Sequence, residues 1–353
     1  MFLATAAVLL SSATPLAFAN QVHYGPVAVS SESESAVRLI HEYPLGTFVE
    51  NIAVRPNGEL LVTLPFLAEA HSINPLGSNP TPKVLHRFEG VNSVFGIAEY
   101  DHDVYAVSGG NFSTTEGTVL GTYRVDSLNL TQATPLASKI ADFPSAQFLN
   151  GMTALPRWGR GPRNVLVNDV MGGVVYNLDP VSGDSFVALN NTFTQAHQHP
   201  VIGSFSVNGI KVGDGMAYIT NTGLGMLVRF PIYPNGGSVE ILSRAANSTW
   251  FYDDFALRDT TAYVTTGSGN TIERVIAPPV DAQGPINTEI VAGNLNSTAV
   301  AGPTGAAFGR TLKDNHILYI TTSGGSVSGN VRVGAQVLAI NTKLCHWESR
   351  INM

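Results

Sequence analysis

The sequence predicts an all-β chain, a six-bladed β-propeller closed by an N-terminal outer strand. Three observations predict it. A short strand-like opening recurs six times, each copy is followed by further β-rich runs, and helical periodicity is nearly absent. The openings are "ENIAV" at 50, "VFGIAEY" at 94, "NGMTAL" at 150, "NGIKV" at 208, "DDFAL" at 253 and "TGAAF" at 304. They lie about 45 to 58 residues apart, the period of four-stranded blades with loop insertions such as "PRWGRGPR".

The elements follow in chain order. Residues 1–19 read as a signal peptide, an apolar stretch closing on Ala17-Phe18-Ala19 in the small-x-small form of a cleavage site. Residues 20–35, ending in "SSESES", read as a flexible polar lead. The second runs are "ELLVT", "DVYAVS", "NVLVND", "MAYITN", "TAYVTT" and "ILYITT". The third are "AHSIN", "LGTYRVD", "GGVVYNLD", "GMLVRFP", "NTIERVIA" and "AQVLAIN". A fourth run closes every unit but the last, while "SAVRLIHEYP" precedes the first unit with no blade of its own. Residues 36–43 therefore close the sixth blade, which pairs two edges that would otherwise invite aggregation. The propeller spans 36–345, and 346–353 form a tail.

Composition excludes several classes. The 353 residues are 44% hydrophobic and 13% charged, enough apolar mass for a large core. A formal net charge of −7 and no run of Lys and Arg argue against nucleic acid as a partner. No later segment reads as membrane-spanning. Five Asn-x-Ser/Thr acceptors, at Asn111, Asn129, Asn190, Asn247 and Asn296, accord with a secreted or vesicle-lumenal glycoprotein. The single cysteine, Cys345, allows no intrachain disulfide; it reads as a small buried side chain or an intermolecular bridge.

Propeller geometry gathers residues scattered in sequence. The innermost strand of each blade starts near one face of the central channel, so Glu50, Asn51, Phe95, Asn150, Asn208, Asp253, Asp254 and Thr304 should ring a single pocket. Loops between second and third strands descend on the same face, among them those bearing Phe66, Phe112 and Asn221. "NSTWFYDDFAL" sets Trp250, Phe251 and Tyr252 directly ahead of the carboxylate pair. Carboxylates, amides and aromatics together suit a mid-sized, largely apolar ligand fixed by a few polar groups. The plainer reading, turn residues and inter-blade packing, stands beside it. His197 and His199 in "TFTQAHQHPVIG" read as surface histidines, or as a reserve acid, base or ligand. There is no G-x-S-x-G, H-E-x-x-H, Walker loop or dinucleotide fingerprint.

With its "NGM" and "NGI" openings, the chain resembles the SMP-30, gluconolactonase and strictosidine-synthase-like propellers over residues 37–345. That resemblance implies a divalent cation, calcium or magnesium, on Glu50, Asn150, Asn208 and Asp253 or Asp254, as in a metal-dependent lactonase. The chain departs from the pattern twice. The usual Glu-Gly-Pro is Glu50-Asn51-Ile52, and the usual Asp-Gly is Asp253-Asp254-Phe255.

The secretory, low-charge, cysteine-poor organisation is also similar to that of fungal propellers of natural-product pathways. These include hetero-Diels-Alderases that join a tropolone quinone methide to a terpene such as humulene. The resemblance implies an enzyme without cofactor, monomeric or dimeric, acting on small apolar or aromatic substrates. Trp250, Tyr252, Phe95, Phe66, Phe112 and Asn221 would then shape the pocket. Asp253, Asp254, Glu50, Asn208 and Asn150 would position or protonate the polar partner, with His197 and His199 in reserve. The alternatives are the metal-dependent lactonase and a non-catalytic ligand-binding propeller.

Overall fold

The computed structural model describes residues 37–113, 115, 117–157, 161–232, 240–244, 249–278, 287–327 and 332–343. The expected signal peptide, polar lead and tail lie outside them, as do Asn247 and Cys345. The first strand is β1 (Val37–Leu45). Blade 1 follows as β2 (Ile52–Val54), β3 (Leu60–Leu64), β4 (Glu69–Ile73) and β5 (Lys83–Arg87). Blade 2 is β6 (Ser93–Asp101), β7 (Val104–Ser113), β8 (Gly117–Asn129) and β9 (Leu136–Asp142). Blade 3 is β10 (Leu149–Ala154), β11 (Val165–Asp169), β12 (Val174–Leu178) and β13 (Ser185–Leu189). A hairpin, β14 (His197–His199) with β15 (Gly203–Phe205), precedes blade 4. Blade 4 is β16 (Val207–Gly213), β17 (Met216–Asn221), β18 (Met226–Pro231) and β19 (Glu240–Arg244). Blade 5 is β20 (Tyr252–Arg258), β21 (Thr261–Thr266), β22 (Thr271–Ile276) and β23 (Asn287–Gly293). Blade 6 is β24 (Pro303–Phe308), β25 (Ile317–Thr322) and β26 (Gly334–Asn341), with β1 outermost.

Closure runs as the sequence predicts. β1 pairs antiparallel with β26, Val37 opposite Ile340 and Leu39 opposite Leu338. The hydrophobic core is divided into six clusters, one between each pair of neighbouring blades. This division follows from period-two alternation, which turns successive side chains of one strand toward the preceding and the following blade. Both faces of the middle strands are therefore apolar, as in "LLVTL" and "AYVTT".

A second set of contacts joins the blades near the channel. One polar residue of each second strand donates to the inner strand of the next blade. Thr63 Oγ1 donates to Phe95 O at 2.6 Å, Asn168 Nδ2 to Asn208 O at 2.6 Å and Thr220 Oγ1 to Asp253 O at 2.6 Å. Ser108, Thr265 and Thr321 repeat the contact toward Asn150, Thr304 and Glu50. The inner strands then lie so close that a Cβ on Gly151 would overlap the carbonyl oxygen of Asn208. "NGM" carries glycine for this close approach.

At the opposite face arginines bridge the blades. Arg55 of blade 1 forms an ion pair with Asp103 of blade 2 at 2.6 Å. Arg310 of blade 6 donates to Val54 O on blade 1 and pairs with Glu99 on blade 2. Among the glycosylation candidates, Asn190 and Asn296 are exposed. Asn111 and Asn129 are half-buried, their Oδ1 atoms accepting from Asn92 N and Thr131 N. Among the described residues no helix is long and apolar enough to cross a membrane.

Candidate active site

The site begins with an irregularity in the inner strands. In blades 2 to 6 the pairing of first and second strand shifts register at the channel, for example between Leu149 and Met152, Val207 and Ile210, and Tyr252 and Phe255. Such a bulge lets two consecutive side chains share a side. The residues there are Phe95-Gly96, Asn150-Gly151, Asn208-Gly209, Asp253-Asp254 and Thr304-Gly305, with Glu50-Asn51 in the same place on blade 1.

Hydrogen bonds fix their direction. Asn150 Nδ2 donates to Glu50 Oε1 at 2.7 Å, and Asn51 Nδ2 donates to Asn150 Oδ1 at 2.9 Å. Both contacts pass from blade 1 to blade 3 without blade 2, so these side chains meet inside the channel. On the other side Asn208 Nδ2 donates to Asp253 Oδ1 at 2.7 Å. Lys211 Nζ reaches both oxygens of Asp254, at 2.6 and 2.7 Å. Glu50, Asn51, Asn150, Asn208, Asp253 and Asp254 are all buried.

Burial sets the electrostatics. Removal from water pushes the Glu50 carboxyl up to about 7, against the hydrogen bond from Asn150, and the charge of Asp254 adds to the rise. Asp253 is pushed well above the carboxylate range by burial first, then by Glu50 and Asp254. Asp254 is raised by burial and partly drawn back by Lys211. The result is an ion pair beside two carboxyl groups that hold protons more tightly than free acids do. Such a group can donate a hydrogen bond or a proton near neutral pH.

The aromatic residues expected at the pocket lie on or beside blades 1, 2 and 5. Phe95 is buried and meets Phe148 edge-on, centroids 4.6 Å apart. Phe66, 53% exposed, stands between Phe48 and Phe112 with centroids 5.9 and 5.6 Å away. Trp250, half-buried, packs over Gly269. His199 is buried against Phe251, its imidazole pKa lowered by burial, and His197 is half-buried on the same hairpin. Among the described residues no hydrogen bond joins either histidine to the carboxyl groups.

Two expected pocket residues are corrected. Tyr252 lies fully buried in the cluster between blades 4 and 5, its hydroxyl within 2.7 Å of Ser243 Oγ and donating to Glu273 at 2.5 Å. It precedes the bulge and so points into the inter-blade core. Asn221 donates to Phe193 O and Gln195 O and accepts from Leu224 N, which anchors the connection leading to the hairpin. Its amide is consumed by backbone. Lys211 escaped the sequence reading, although a signal existed. In "NGIKVG" Ile210 and Val212 alternate toward blade 3, which turns Lys211 toward blade 5, where Asp254 and the Phe255 ring meet it.

Fold and floor define a six-bladed β-propeller with a hydrogen-bonded carboxyl cluster in its channel. The chain belongs to the same family as two proteins named as hetero-Diels-Alderases. It is 30% identical to "Putative hetero-Diels-Alderase asR5" of Sarocladium schorii, over 98% of this chain and 99% of that one. It is 32% identical to a "Putative hetero-Diels-Alderase" of a Phoma species, over 80% and 86%. Solved structures share the fold at low identity. The calcium-binding protein regucalcin of Agrobacterium tumefaciens gives a TM-score of 0.58 at 13% identity, covering 86% of this chain and 93% of its own. The PQQ-bound aldose sugar dehydrogenase of Streptomyces coelicolor gives 0.55 at 12%, covering 86% and 97%. No protein-family model matches the chain.

Proposed function

We propose that this chain is a hetero-Diels-Alderase of fungal secondary metabolism that joins a tropolone quinone methide to a terpene alkene within the secretory pathway. Family membership supports the reaction class. The observation that carries the reading is the pair Glu50 and Asp253, buried carboxyl groups oriented by Asn150 and Asn208, above which Phe66, Phe95 and Phe112 would line the mouth. The cycloaddition forms one C–C and one C–O bond and expels nothing, so the protein has to align two partners and polarise one.

Alignment is the larger effect. Holding diene and alkene in contact converts a bimolecular addition into a unimolecular one and can supply about 7–11 kcal/mol at best. The aromatic walls take the apolar partner. The Glu50 carboxyl, protonated, donates to the oxygen of the oxadiene and draws electron density from it as the new bonds form. Where the methide arises from a hydroxymethyl precursor, Glu50 protonates the departing hydroxyl. The ring hydroxyl then returns a proton to the carboxylate, and one water leaves.

Purified protein, mixed with a hydroxymethyl tropolone precursor and a terpene alkene, should form one stereoisomer faster than buffer does. An isomer ratio and rate equal to the uncatalysed mixture would refute the assignment.

A further inference from the structure

Two blades break a rule that the other four obey. Directly after the channel position, blades 2, 3, 4 and 6 carry Gly96, Gly151, Gly209 and Gly305, where a Cβ would crowd the neighbouring inner strand. Blade 1 carries Asn51 and blade 5 carries Asp254 at this place. Asn51 bonds Asn150, which the family pattern would give to a divalent cation, while Asp254 pairs with Lys211.

Asn51 holds Asn150 by its oxygen, Nδ2 to Oδ1 at 2.9 Å, so Asn150 has its Nδ2 left for Glu50 at 2.7 Å. Asn208 likewise turns Nδ2 to Asp253. Calcium and magnesium require oxygens directed at the ion. Here two of the four expected ligands direct N–H groups at the carboxyl oxygens instead. Turning Asn150 over would break both its bond from Asn51 and the one it donates to Glu50. Asp254 meanwhile pairs with Lys211, whose ammonium also lies over the Phe255 ring. The donor set present does not fit a divalent cation.

We propose that Asn51 is a lock on the Asn150 amide that keeps divalent cations out of the channel. The inference goes beyond the proposed reaction and does not depend on it.

The experiment is calorimetric titration of the full-length protein with calcium chloride and with magnesium chloride, for wild type and for Asn51→Gly. Metal content by mass spectrometry and melting with and without chelator accompany it. Wild type should give no saturable heat, carry no stoichiometric metal and melt alike with and without chelator. Asn51→Gly restores the residue used by four other blades and frees Asn150 to turn. It should bind one ion with a Kd of roughly 10⁻⁴ to 10⁻³ M, the range of weak protein calcium sites, and melt higher when loaded. A stoichiometric ion in wild type overturns the proposal, as does a folded Asn51→Gly that binds nothing. Should that variant lose its cooperative melt, Asn51→Ala is titrated in its place, and the wild-type measurements still decide.

Discussion

Asn150 on blade 3 hydrogen-bonds Glu50 on blade 1 at 2.7 Å, across the channel and past the whole of blade 2. A contact of this span ties the acid to a frame that blade 1 alone does not provide. Glu50→Gln keeps the shape and removes the proton. Under the proposed reaction it should lower the cycloaddition rate by about 100-fold or more, as loss of a general acid does, with Asp253→Asn following in direction. Initial rates by chiral chromatography decide it. Full activity in both variants would take the carboxyl groups out of the mechanism.

The pH dependence has a definite sign. Glu50 holds its proton up to about 7 in the folded protein, against 4.5 for a glutamate side chain in water. A raised acid stabilises the fold fully below the unfolded value, and that contribution fades as pH rises through about 7. The loss from Glu50 alone is on the order of 3 kcal/mol. The rate should fall over the same window, because only the protonated form donates. Urea melts and rates on both sides of neutrality test this, and Glu50→Gln should lessen the slope of both profiles, with raised Asp253 keeping part of it. A wild type whose stability is unchanged between about pH 5 and pH 8 would contradict it.

Gly151 sits where adjacent inner strands nearly touch, so Gly151→Ala should push Asn150 and Asn208 apart and cost about 1–3 kcal/mol or more, the usual range for overpacking. Gly161, where an added Cβ would meet nothing within 4 Å, supplies the control. Denaturant midpoints of the two alanine variants should differ clearly. Equal midpoints would mean that the ring relaxes freely.

Phe66 is more than half exposed between two other rings, so Phe66→Ala should leave the melting temperature nearly unchanged. Edge contacts of this kind contribute roughly 0.5–1.5 kcal/mol. KM for the alkene should therefore rise several-fold while the polar partner is less affected. A change confined to kcat would place the alkene elsewhere.

The blades were legible because their signal is repeated: six openings, alternating apolar runs and one orphan strand at the start. Convergence of Glu50, Asn150, Asn208 and Asp253 followed from the same count. What stayed hidden depends on the bulge, which shifts side-chain direction by one residue without any mark in the alternation. Tyr252 therefore passed for a pocket residue when it belongs to the core, and Asp254 could not be told apart from Asp253 in role. Asn221 hides for another reason. An Asn in a loop looks the same whether its amide waits for a ligand or is spent on three backbone groups. The interlocking polar residues from Thr63 to Thr321 were present in every second strand, but their partners lie in the next blade, where no local pattern points.

The closing strand also fixes an order of events. Glu42 in β1 accepts from Gly334 N, 292 positions along the chain. At about 5–20 residues per second of synthesis, β1 waits roughly 15 to 60 s for its partner to be made. Through that interval its backbone donors and acceptors lie open, where other strands can capture them. The last edge to be satisfied is thus the first to be exposed, and the yield of folded protein should depend on whatever shields the leading segment until the ring can shut.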